Sequence, residues 1–187
     1  GRRGSINVEL TTTGIQGHVG YPARAKNPIP PLALLVTRLS AKILDQGSAH
    51  FDPSNLCFTT MDVGNPTTNV IPGEARARLN IRFNDLHTPT SLMGWIESEV
   101  AKVVAETEAE ISVVPQVSGV SFLTAPGPFT ALVSDAVKSV TGSAPTVSTS
   151  GGTSDARGSK DSCPGGERGL AGATMRHLVK VNVLLTR

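Results

Sequence analysis

Residues 5–13, SINVELTTT, set Ile6, Val8 and Leu10 alternately with polar neighbours, the period-two pattern of a strand with one buried face. A glycine-rich stretch, GIQGHVGYPARAKNP (14–28), breaks that alternation. Residues 30–47, PPLALLVTRLSAKILDQG, then switch to helical spacing: Leu32, Leu35, Val36, Leu39 and Ile43 fall on one face. Arg38, Lys42 and Asp45 fall elsewhere, and Gly47 suits the position just past the helix end. NLCFTTMDV (55–63) reads as a second strand. In EARARLNIRFN (74–84), Ala75, Ala77, Leu79, Ile81 and Phe83 alternate with Arg76, Arg78, Asn80 and Arg82, a third strand. Residues 88–106 predict a helix with Thr88 as N-cap, Pro89 in its first position, and Leu92, Ile96, Val100 and Val103 as its buried stripe. EISVVPQV (110–117) closes the series as a fourth strand.

The order β-α-β-β-α-β predicts an α+β fold of ferredoxin-like type: a four-stranded antiparallel sheet with two helices on one face and the arginines on the other. This unit is expected over residues 1–118. Residues 119–187 are expected to form a partial α/β segment. In it, PGPFTALVSDAVKSVTG predicts a third helix, with Phe129, Leu132, Val133, Ala136, Val137 and Val140 inward and Gly142 past its end. PTVSTSGGTSDARGS predicts a short strand entering a Gly-Ser-Thr loop. The tail has few large apolar residues before LVKVNVLL and is too short for a domain of its own. No internal repeat is visible.

Composition narrows the class. Of the 187 residues, 39% are hydrophobic and 17% charged, which suits a globular chain and argues against disorder. A net charge of +2 is too small for a nucleic-acid surface. No apolar run reaches the ~18 residues needed to span a bilayer. Cys57 and Cys163 lack metal-ligand spacing and form no disulfide framework. The opening GRRGSINVEL has neither an initiator Met nor a signal-peptide core. The expectation is a mature or excised piece in a reducing cytoplasmic setting, contacting neither nucleic acid nor membrane.

Four places carry candidate chemistry. His18 sits in a Gly-Pro turn that would hold an imidazole outward to donate toward developing negative charge; a plain surface histidine is the alternative. His50 and Asp52 have the H-x-D spacing of some zinc sites, yet two ligands do not close a site, and a loop there is polar anyway. Asn69 and Arg82 suit carboxylate recognition, against the alternative of a solvated sheet face. TSGGTSDAR (149–157) offers consecutive backbone N–H groups to an anion, without the G-K-[ST] ending of a phosphate loop.

As a set, GRRGS, QGHVGYP…NP, TNVIPGE, NIRF, SGVSFLT, GGTSDAR and GATM resemble, in order and approximate spacing, the bacterial succinyl-diaminopimelate desuccinylases. These are relatives of the zinc aminoacylases and carboxypeptidases. The resemblance runs from residue 1 to about 157 and patchily to 175. It implies a homodimeric hydrolase, each subunit with a two-metal catalytic domain carrying zinc or cobalt and an inserted β-α-β-β-α-β lid through which it dimerises. The implied reaction cleaves N-succinyl-L,L-diaminopimelate, a small dicarboxylate substrate, in lysine and cell-wall precursor synthesis. The resemblance further implies that His18 reaches into the partner's active site as oxyanion donor. Arg2, Ser5, Tyr21, Asn69, Arg82, Gly152 and Thr153 match positions that bind substrate carboxylates and amines.

The chain also departs from that family. Its metal-binding and general-base residues lie upstream of GRRGS, and His177 in MRHLVKVN falls one place late with no acidic partner following. Gly158, Ser159, Ser162, Gly165, Gly166 and Arg168 stand where larger apolar residues are expected. The expectation is therefore a chain that binds no metal and is inactive alone. A non-catalytic dimerisation module, or a piece of a related deacylase or carboxypeptidase, are the other readings.

Overall fold

The computed structural model describes residues 1–123 and 125–149. The segments run β1 (Gly4–Thr13), β2 (Gly17–His18), a 3₁₀ turn (Pro22–Arg24), α1 (Ile29–Ala41), β3 (Asn55–Asp62), β4 (Val70–Ile71), β5 (Glu74–Phe83), α2 (Pro89–Thr107), β6 (Glu110–Gly119) and α3 (Pro128–Thr141). Four strands form one antiparallel sheet in the order β3-β5-β1-β6, and β2 pairs with β4 separately. That strand order and the two helices of the first unit are the expected ferredoxin-like α+β arrangement.

The alternation in the sequence decides which face is buried. Ile6, Val8 and Leu10 of β1 and Ala75, Ala77, Leu79, Ile81 and Phe83 of β5 point into the core, none more than 1% exposed. Leu32, Leu35 and Leu39 of α1 and Leu92, Ile96 and Val103 of α2 meet them there. A one-residue slip of β5 would place Arg76, Arg78 and Arg82 in that core, so the register is strongly fixed. β1 and β5 pair without interruption from Gly4↔Phe83 to Thr13↔Glu74. On the opposite face Arg76 is held by Glu74 and Arg78 by Glu9 across the ladder. Both pairs are exposed and add little stability.

α2 starts as expected. The Thr88 hydroxyl accepts from the Ser91 N–H, and the Ser91 hydroxyl accepts from the Thr88 N–H. Its other end is closed by Glu108 in the left-handed region (φ 54°) and by the Lys26 ammonium, which donates to the Glu108 carbonyl. A cation at the negative end of the helix is favourable.

Three expectations need correction. α1 ends at Ala41, with Lys42 extended, so Gly47 is not its terminal residue and Ile43 is 70% exposed. Tertiary contacts override helical periodicity here: Leu44 turns back onto the core, and Asp45 gathers donors from two loops. Residues 144–149 form no strand, and among the described residues none pairs with them. α3 forms as expected, but Phe129, Leu132 and Val140 are 56, 63 and 84% exposed. Among the described residues its apolar face has no surface to cover. LVKVNVLL lies outside the described residues.

Asp45 ties the α1–β3 loop to the β5–α2 loop. Its carboxylate accepts from the Gly47 N–H (2.7 Å), the Ser54 N–H (3.2 Å) and the fully buried Asn84 amide (2.8 Å), and lies 3.0 Å from His87 Nε2. Burial pushes the Asp45 carboxyl up, but donors from Ser54, Gly47 and Asn84 outweigh it and hold it down at about 2, against an ordinary 3.8. The stabilisation is thus fully present above about pH 4 and is lost as pH falls toward 2. In urea unfolding, Asp45→Asn should cost on the order of 2 kcal/mol at neutral pH and flatten the stability profile between pH 4 and 2. An unchanged acid limb would refute this role.

Candidate functional site

Beyond Thr13 the chain folds into a small flap. The Gly14 N–H bonds the Gly73 carbonyl, and Ile15 and Lys26 exchange both backbone hydrogen bonds at 2.9 Å. A Cβ at Gly14 would lie 2.2 Å from the Lys26 carbonyl oxygen, so only glycine admits this fold-back. Inside the closed loop β2 pairs with β4, setting His18 opposite Val70. The Val19 N–H then bonds the Asn69 carbonyl at 3.0 Å.

This geometry determines which His18 nitrogen is available. The Gly20 N–H donates to His18 Nδ1 at 3.0 Å, making that nitrogen the acceptor. In the neutral ring the proton therefore resides on Nε2, and the imidazole presents a donor on an exposed face. A Cβ at residue 20 would come within 3.1 Å of that Nδ1, so glycine keeps the ring in place.

Two consecutive turns continue from there. The Tyr21 N–H bonds the His18 carbonyl, and the Arg24 N–H bonds the Tyr21 carbonyl. Their three-residue step stacks the side chains: the His18 and Tyr21 rings are 5.9 Å apart, and the Arg24 guanidinium lies 5.6 Å from the Tyr21 ring centre. His18, Tyr21 and Asn69 are thus brought to one edge of the flap. Arg24 joins them and was missed. The H-x-x-Y-x-x-R spacing, with Pro22 opening a 3₁₀ turn whose i and i+3 side chains eclipse, is the signal that points to it.

Arg2, Ser5 and Arg82 form a second group at the other end of the sheet. Arg2 exchanges backbone hydrogen bonds with Phe122, which fixes the start of the chain beside the exit of β6. Ser5 sits opposite Arg82 in the ladder; its hydroxyl, 2% exposed as a residue, accepts from the Asn80 amide at 3.2 Å. Arg3 donates to the Pro53 carbonyl and to Asn55 Oδ1. The eight residue steps of β1 from Ser5 to Thr13, at ~3.3 Å each, separate the two groups by about 26 Å. One copy of the chain does not bring them together.

Gly152 and Thr153 lie outside the described residues, as does His177. His50 and Asp52 remain an exposed pair; the His50 carbonyl accepts from Thr149 and the Asp52 carbonyl faces Asn84. Among the described residues no three His, Cys, Asp or Glu side chains gather closely enough to hold a metal ion. Among them, too, no helix is long and apolar enough to cross a membrane. A hollow of about 280 Å³ beside the flap, lined by Gln16, Val63, Asn65, Thr67, Val70 and Glu74 among others, includes neither His18 nor Tyr21.

Known proteins place this geometry in context. The profile described as "Peptidase dimerisation domain" matches residues 1–108. The chain is 54% identical over 178 residues to the succinyl-diaminopimelate desuccinylase of Cereibacter sphaeroides strain ATCC 17029, covering 95% of this chain and 47% of that protein. It is 53% identical over 183 residues to succinyl-diaminopimelate desuccinylase 1 of Ruegeria sp. strain TM1040, covering 98% and 48%. The chain thus spans about half the length of these curated relatives. Among solved structures it resembles aminopeptidase PepT from Bacillus cereus (TM-score 0.63, 16% identity, 83% of this chain and 40% of that one). A tripeptidase from Staphylococcus aureus is similar to the same degree (TM-score 0.63, 15% identity, 81% and 39%). At such identities the structures speak to the fold alone.

The Gly20–His18 hydrogen bond is open to a direct check. Long-range ¹H–¹⁵N correlation spectra at pH 8 should show His18 as the Nε2–H tautomer. In Gly20→Val, whose side chain crowds the ring, the tautomers should mix. A dominant Nδ1–H form in the unaltered chain would contradict the geometry.

Proposed function

Because the chain belongs to the peptidase dimerisation domain family, we propose that it is the dimerisation lid, with an adjoining piece of the catalytic domain, of a succinyl-diaminopimelate desuccinylase. On this reading residues 1–118 are the lid and 119–187 belong to the catalytic domain. The reaction is hydrolysis of N-succinyl-L,L-diaminopimelate to succinate and diaminopimelate in a reducing cytoplasm. The divalent metal of such hydrolases, zinc or cobalt, has no ligand set among the described residues; its site is assigned to sequence outside them.

This chain's own contribution is binding and charge stabilisation. His18 Nε2–H donates to the amide oxygen as it gains negative charge, a role suited to a donor that is fixed before reaction begins. Arg2 and Arg82 take substrate carboxylates, with Ser5 behind them. Tyr21, Asn69, Gly152 and Thr153 complete the polar contacts.

The observation that carries the reading is the separation of the two groups along one ladder. A substrate of this size reaches both only if they come from different copies, so the active unit is a homodimer whose sites each borrow a flap. The sheet offers an edge for that pairing. β6 carries Pro115, which lacks an N–H and blunts its edge, whereas β3 has no proline. A second copy added along β3 continues the sheet.

Subunit complementation tests this. Each chain is joined to the N-terminal half of the Cereibacter sphaeroides relative, and succinate release is measured. His18→Ala alone should lower kcat by about 10²- to 10³-fold, and Arg82→Ala should also be severely impaired. A mixed dimer of the two variants should regain one working site, because one intact flap faces one intact arginine. Mixtures as inactive as their parents would show that both groups serve the same subunit's site, and would sink the proposal.

A further inference from the structure

The flap is electropositive by composition. Residues 14–28 and 63–73, which form it and the strand it pairs with, contain Arg24 and Lys26 but no Asp or Glu. Lys26 is committed to the Glu108 carbonyl at the end of α2. Arg24 is different: it is exposed, and among the described residues no carboxylate forms an ion pair with it. Its guanidinium lies against the Tyr21 ring. A guanidinium resting on an aromatic face keeps its edge donors outward, and the 3₁₀ turn removes much of the freedom a long side chain would otherwise lose on binding.

We propose that Arg24 is a specificity-determining residue that binds a carboxylate on the acyl half of the ligand whose carbonyl oxygen His18 faces. The inference rests on the proposed function. There Arg2 and Arg82 take substrate carboxylates from the far end of the partner copy's ladder. The flap is the side from which a further carboxylate, on the acyl end beside the His18-facing oxygen, is open to recognition. The column His18–Tyr21–Arg24 supplies a donor for the reacting oxygen at one end and a planar fork for a carboxylate at the other. A neutral acyl group would gain nothing from that fork and would leave it solvated, so the column favours dicarboxylic over monocarboxylic acyl groups.

The test uses the reconstituted dimer with succinylated and acetylated diaminopimelate as paired substrates. Arg24→Gln should lower kcat/KM for the succinylated substrate by about 10- to 100-fold, mainly through KM, and leave the acetylated one within about twofold. Arg24→Lys should recover part of the loss, because charge is restored without the fork. Equal losses on both substrates, or none on either, overturn the inference. His18→Ala separates this failure from failure of the parent reading. If that variant slows both substrates while Arg24→Gln shows no selectivity, only the role of Arg24 falls. If His18→Ala changes neither, or the dimer turns over neither substrate, the parent reading falls and the inference with it. The folded state of the two Arg24 variants is checked by the His18 tautomer signal, which both should leave in place, and that of His18→Ala by its urea-unfolding midpoint.

Discussion

The uninterrupted antiparallel ladder between β1 and β5 sets the terms for everything else. Ten consecutive residue pairs hold it in register, and the burial of every second side chain makes slippage prohibitive. A ladder of that length is a stiff spacer. It fixes Arg2, Ser5 and Arg82 at one end and delivers the chain into the flap at the other. His18 and the Arg2–Ser5–Arg82 group of one small polypeptide are thereby kept apart, which is why the proposed site draws on two copies.

The flap answers a different physical demand. A group that stabilises charge in a transition state is most effective when it is oriented beforehand. The His18 ring meets that condition through the backbone alone: a bridge between Ile15 and Lys26, a two-residue pairing with β4, and an amide that occupies His18 Nδ1. None of these requires a hydrophobic core beneath the flap. Its residues can therefore remain exposed, Ile15 and Val19 among them, while the turn itself is well defined.

Much of this could be read from the chain. The alternation in β1 and β5, the stripe of α2 and the Thr88–Pro89 start are strong signals because burial and capping act locally. The end of α1 was not legible, since Asp45 and Leu44 answer to partners in distant loops. The face of α3 was legible as amphipathic, but nothing in its own residues says what lies against it. His18, Asn69 and Arg82 stood out from their turn and strand settings, whereas Arg2, Ser5 and Tyr21 came only from the motif resemblance. Their division into two groups required the ladder. Arg24 was passed over because an arginine in a loop looks ordinary until two successive turns stack it on Tyr21.

The central claim is that the flap of one copy and the arginines of another converge on the same ligand. A crystal structure of the reconstituted dimer with succinate and diaminopimelate bound would measure this directly. The account predicts the His18 imidazole of one copy and the Arg82 guanidinium of the other within hydrogen-bonding distance of the same bound pair of ligands. Finding both residues from a single copy around them, or the ligands held with the flap turned away, would contradict it.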